Sequence, residues 1–185
     1  MRWGFMAISS MATVALAAML SGGVAQAGVP SLTSSYADPG CACFAMFPAQ
    51  PKVEQIPGEG REGLTSTETS VLAPTTEGVA LRLAYWRMPA GATYDLNQGI
   101  SSVANFLTSD GMETSSIQYG TFRGHPSVTG EFLDKDQVPG YAKALIFTVD
   151  DRVFALRVAT RSSWGASPSD GVAAFNAFVD AFQVF

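Results

Sequence analysis

The chain predicts an α+β domain: a twisted antiparallel β-sheet of six or seven strands covered by helices. Three observations predict it. Apolar, β-forming runs recur along the sequence, separated by Gly, Pro and Asp-Asp punctuation. Two stretches with helical spacing, near residues 96–107 and 170–182, stand apart instead of alternating with the strands. The runs around Leu81–Trp86 and Leu145–Val149 are apolar on both faces, so cover on both sides buries more than a half-wet sheet would.

The elements follow from the N-terminus. Arg2 is the one charge before an apolar run from Met6 to Leu20. Ser21, Gly22 and Gly23 loosen the chain, and Ala25-Gln26-Ala27 places small residues where a signal peptidase reads, which predicts cleavage before Gly28. The run is about 15 residues, short of the roughly 20 that cross a bilayer, so no membrane span is expected after cleavage. No Cys follows it directly on small residues, so a lipid-modified start is not indicated. Residues 1–27 are read as a signal peptide, 28–40 as a flexible leader and 41–185 as one domain, with a periplasmic or secreted address. Gly28 to Gly40 is rich in Pro, Ser, Thr and Gly, the composition of such a leader.

Cys43 to Phe47 reads as a short strand covered on both faces, ended by Pro48. Pro51 keeps the next segment extended, and Pro57 to Gly63 is a turn or mobile loop. Thr65 to Leu72 is a strand with one polar face. Gly78 to Met88 alternates clearly, with Val79, Leu81, Leu83 and Tyr85 on one side and Ala80, Arg82, Ala84 and Trp86 on the other. Asp95 opens a helix whose stripe is Leu96, Ile100, Val103, Phe106 and Leu107. Gly99 weakens that helix by up to about 1 kcal/mol relative to Ala, and Gly111 ends it. Strands follow over Ser115–Phe122, Pro126–Leu133, Tyr141–Val149 and Val153–Thr160, the last two joined by a tight turn at Asp150-Asp151. Trp164 to Pro168 is a loop. Ser169 or Asp170 caps a final helix with Val172, Phe175, Phe178, Val179 and Phe182 on its apolar face.

Composition narrows the function. Without the signal, the chain has about 158 residues, enough for one well-filled core. Loss of Arg2 leaves ten basic against sixteen acidic residues, a net charge near −6. No basic run occurs, which argues against nucleic acid and anionic membrane surfaces as partners. The two cysteines, Cys41 and Cys43, exclude a disulfide framework. At this spacing an extended strand strains an internal bridge, so three states stay open: reduced, bridged in a strained ring, or bonded to another chain.

The order of elements resembles the PsbP-like superfamily, whose namesake is an extrinsic subunit of photosystem II and whose fold a GTPase-binding nuclear-transport factor shares. Four groups of residues carry the resemblance. Phe47-Pro48 with Pro51 closes a first strand, and a strand containing Tyr85 precedes a helix near Leu96. Gly124-His125-Pro126 leads into Gly130-Glu131-Phe132, and Phe178-Val179-Asp180-Ala181-Phe182 closes the chain. The resemblance covers about Cys43 to Phe185 and implies an α/β/α sandwich serving as an accessory or binding module. No catalytic residues carry over from it. Cys43 and Ala45 depart from the larger apolar residues usual in that first strand.

Each candidate chemistry has a plainer reading beside it. His125 is the only histidine; it lacks a Gly-x-Ser-x-Gly nucleophile elbow and sits between Gly124 and Pro126, where a turn is expected. Cys41 and Cys43 with His125 offer soft ligands for copper or zinc, one short of a closed zinc site. Glu131, Asp134 and Asp136 offer an acid–base pair, though Asp134 and Asp136 flank Lys135 before a turn, where solvated charges are usual. Asp150-Asp151 lacks the loop of a calcium site. Tyr85, Tyr94 and Tyr141 are core or pocket aromatics, and Trp86 and Trp164 are the candidate interface residues, Trp164 from a Gly/Ser-rich loop. The expected function is a non-enzymatic exported accessory or binding module, with no cofactor, that meets an envelope protein. The alternatives are a carrier of an apolar small molecule, its sheet curled around the Leu96–Leu107 helix, and a thiol or metal protein.

Overall fold

The structure is a computed structural model and describes residues 30–57, 67–134, 140–161, 163 and 165–185. The expected signal peptide, most of the Pro57–Gly63 turn, Lys135, Asp136 and Trp164 lie outside the described residues. In chain order the elements are β1 (Ser34–Asp38), β2 (Cys43–Phe47), β3 (Lys52–Pro57), β4 (Thr67–Leu72), β5 (Val79–Arg87) and α1 (Leu96–Ser109). Then come β6 (Met112–Phe122), β7 (His125–Asp134), β8 (Gly140–Val149), β9 (Arg152–Arg161), α2 (Pro168–Ala181) and β10 (Gln183–Val184).

Seven strands form one antiparallel sheet in the order β3-β4-β5-β9-β8-β7-β6. The long hairpins close on left-handed residues: Arg123 and Gly124 between β6 and β7, and Asp150 between β8 and β9. At Arg123-Gly124 the two positive φ angles in succession suit a two-residue type I′ turn between twisted strands. A small second sheet has the order β1-β2-β10. It holds the strand expected at Cys43–Phe47, so that strand is not part of the large sheet. Only its Cys43, Ala45 and Phe47 side is fully buried, whereas cover on both faces was expected.

Alternation along β5 divides the interior in two. Val79, Leu81, Leu83 and Tyr85 join Leu145, Phe147, Phe154 and Leu156 in a core covered by α2 and by Cys43, Ala45 and Phe47 of β2. Ala84, with Trp86 packed alongside, joins Val128, Phe132, Ala144, Ile146 and Val153 beneath Ile100 and Val103 of α1. The result is the expected α+β sandwich, helices on both faces of an antiparallel sheet. Aromatic rings fill the larger core: Phe147 stacks on Phe154 at 5.2 Å, and Phe182 meets both edge-on. Each such fully buried ring contributes roughly 1.5–3 kcal/mol of transfer free energy. The sheet is open, its edges β3 and β6, and α1 lies on one of its faces.

Three local expectations are revised. Ser34–Asp38, within the segment read as a flexible leader, pairs with β2 from Ser34↔Phe47 to Asp38↔Cys43. Half-buried Tyr36 anchors it through its contact with Tyr85. The cap of α2 is Ser167, not Ser169 or Asp170; its side chain accepts from Asp170 N while Asp170 receives the Ser167 N–H, a reciprocal capping box with Pro168 in the first turn. Val172 is 37% exposed, so the buried face of α2 is carried by Ala174, Phe175, Phe178 and the following Phe182.

Candidate functional site

Cys41 and Cys43 form a disulfide, with Cα atoms 5.1 Å apart. The intervening Ala42 has φ +47°, a left-handed kink that brings together side chains an extended strand would hold apart. This selects the intramolecular bridge among the three open states. Both cysteines are sealed in the larger core. Bridged sulfurs are not thiolates, so the candidate metal set of Cys41, Cys43 and His125 loses its two soft donors. Among the described residues, no three or more His, Cys, Asp or Glu gather as a metal site.

The segment carrying the disulfide is tied to β5 and β9 by polar contacts. Tyr85 Oη donates to Asp38 Oδ2, Tyr36 Oη donates to the same oxygen at 3.0 Å, and the two phenols lie 2.8 Å apart. Those bonds, the Tyr85 bond first, hold the Asp38 carboxyl below its ordinary range, while burial raises both tyrosines. Arg87 donates to Gly40 O at 3.2 Å, and buried Arg152 donates to Cys41 O.

The other sequence candidates have structural partners or positions. His125 opens β7 opposite Phe122, directly after the Arg123-Gly124 turn. Arg123 of that turn reaches the end of α2, donating to Val179 O and Asp180 O at 3.2 Å and to Phe182 O. A cation there complements the negative end of the helix. Glu131 accepts from Lys143 Nζ at 2.6 Å, with that ammonium lying over the Phe175 ring. Tyr141 lies beside Glu131 and is pushed up chiefly by burial. Trp86 is half-buried and meets Tyr94 edge-on at 5.5 Å.

A cluster the sequence does not single out lies on the α1 face of the sheet. Arg82 of β5 and Arg157 of β9 are direct cross-strand partners. Like charges placed so are destabilising unless something lies between or beside them. Arg82 Nη2 pairs with Glu68 Oε1 at 2.6 Å, the two side chains 15% and 21% exposed. Among the described residues no carboxylate forms an ion pair with Arg157. Nε of both arginines is buried without a hydrogen-bond partner. Burial first, then the charge of Arg157, pulls Arg82 down to about 10, and burial also lowers Arg157. Both remain cations at neutral pH.

Tyr94 completes the surroundings. Burial pushes its phenol up to about 12, with Arg157 opposing and Glu68 reinforcing the shift. Its ring occupies the space a side chain on Gly99 would need: a Cβ there would lie 2.9 Å from Cε1 and Cζ. The glycine that weakens α1 as a helix is therefore where the helix seats Tyr94. The one sequence signal for the cluster is an arginine in the middle of each of two largely apolar strands.

These features define a PsbP-like fold with a pair of largely buried arginines on one face of its sheet. Among solved structures, the chain is similar to cyanobacterial PsbP (CyanoP) from Synechocystis sp. PCC 6803, with a TM-score of 0.57 and 15% sequence identity over 89% of this chain and 98% of that one. A Pseudomonas aeruginosa protein of unknown function aligns with a TM-score of 0.41 and 8% identity over 72% of this chain and 94% of that one. No protein-family model matches the sequence, and no curated protein matches it.

Proposed function

We propose that the protein is an exported, non-enzymatic accessory or binding module that acts in the periplasm or outside the cell, docking on an envelope protein. The closed Cys41–Cys43 bridge carries this reading, because disulfides persist in oxidising compartments and are rare in the cytosol. The N-terminal run from Met6 to Leu20 with Ala25-Gln26-Ala27 supports the same address. Among the described residues, no helix is long and apolar enough to cross a membrane. The accessory role is what the PsbP-like resemblance implies. It is consistent with Glu131 and Asp38 being engaged by Lys143 and by Tyr36 and Tyr85, as structural carboxylates are.

The test is a binding experiment with the mature chain, Gly28 onward, presented to detergent-solubilised envelope and, separately, to cytosolic extract. A saturable complex of fixed stoichiometry with one envelope protein is the expected result. Turnover of a substrate by the purified chain, abolished by His125→Ala in a variant that still folds, would overturn the non-enzymatic reading.

A further inference from the structure

We infer that Arg82 and Arg157 form a binding site for the oxyanion group, carboxylate or phosphate, of a small ligand on the α1 face of the sheet. This goes beyond the accessory-module reading and does not depend on it. Three observations carry it. The two guanidiniums are cross-strand partners on one face; Glu68 is ion-paired to Arg82 and Glu54 acts on it from farther off, while among the described residues no carboxylate is ion-paired to Arg157. Both Nε–H groups are sealed from water and have no acceptor. An unmet buried donor is uncommon in folded proteins and marks a strained, functional or occupied place. Arg157 keeps partial exposure as a residue although its Nε is sealed, so a ligand seated on that Nε–H enters by displacing the side chains that cover it.

The chemistry follows from the donor set. A guanidinium presents Nε–H and Nη–H as a planar fork that matches the two oxygens of a carboxylate or phosphate. Arg82 already spends one Nη on Glu68, so the Arg157 fork is the primary seat and Arg82 Nε the added donor. One oxyanion there would give Arg157 the ion-pair partner it lacks and supply the missing acceptors together. Glu68 is then a competitor as well as a partner: its carboxylate repels the incoming anion while holding Arg82 in place. Trp86 and Tyr94 on the same face provide an aromatic wall for the organic part of the ligand.

The experiment titrates the folded chain with sodium phosphate and, separately, sodium acetate, against sodium chloride at matched ionic strength. Binding is read from the Arg Nε–H resonances and from the melting temperature. The expected result is saturable shifts of the Arg82 and Arg157 signals with one or both oxyanions and not with chloride. Phosphate alone identifies a phosphorylated ligand, acetate alone a carboxylate, and both the shared chemistry. Arg157→Gln should abolish the shifts, and Arg157→Lys, which keeps the charge without the fork, should weaken affinity at least tenfold. Glu68→Gln should tighten it severalfold. Neither oxyanion differing from chloride overturns the proposal, as does unchanged affinity in an Arg157→Gln chain whose circular dichroism is native. A purely structural arginine pair would lose stability in Arg157→Gln, whereas relief of the like-charge contact with Arg82 should leave the ligand-free variant at least as stable as the parent.

Discussion

Glu68→Gln isolates the electrostatics of the arginine pair. The carboxylate lies 2.6 Å from Arg82, and both side chains are about four-fifths buried. Neutralising one partner of a fully buried ion pair costs about 3–5 kcal/mol, because the other charge is left uncompensated. Residual exposure and the acceptor that Gln retains bring the expected loss to about 2–3 kcal/mol. In a domain of this size that corresponds to a fall in melting temperature of roughly 4–12 °C. The assay is urea unfolding of the parent, Glu68→Gln, Arg157→Gln and the double variant, analysed as a double-mutant cycle. Removing Arg157 deletes the like charge opposite Arg82, so the double variant should regain a substantial part of the loss. A Glu68→Gln effect below about 0.5 kcal/mol would place these charges in the ordinary surface range and refute the reasoning. So would a double variant whose loss is the sum of the single losses.

Two further outcomes are expected. Gly99→Ala should stabilise α1 by about 1 kcal/mol on helix propensity alone, but the Tyr94 ring occupies the Cβ space, so thermal melts should show a net loss of about 1–3 kcal/mol. Asp38 has a lowered folded pKa, so its stabilisation is full above its ordinary value of 3.8 and is lost as pH falls through the lower folded value. Asp38→Asn should therefore cost about 1–2 kcal/mol at neutral pH, with the gap to the parent closing below about pH 4 in acid titrations of stability.

The parts legible in the sequence are those that local chemistry decides. The two-residue alternation of Val79–Trp86 fixes which side chains enter which core, and both cores confirm it. Asp95 caps α1, accepting from Asn97 N at 2.8 Å, because a short acceptor before an apolar helical stripe has few other uses. Non-local features are not legible. β1 draws its stability from pairing with β2 and from the Tyr36–Tyr85 contact 49 positions away, neither visible in a Ser- and Pro-rich stretch. The disulfide depends on a left-handed Ala42, a conformation alanine does not advertise. Arg82 and Arg157 are 75 positions apart, and only the β5–β9 register sets them face to face.

Export into an oxidising compartment is the claim on which the functional account turns, and its most direct measurement is an intact mass. The protein would be taken from fractionated cells into alkylating reagent without reductant. The expected species begins at Gly28, is found in the periplasmic or external fraction, and carries no alkyl group on Cys41 or Cys43. A cytosolic species that still begins at Met1 and is alkylated on both cysteines would contradict the account.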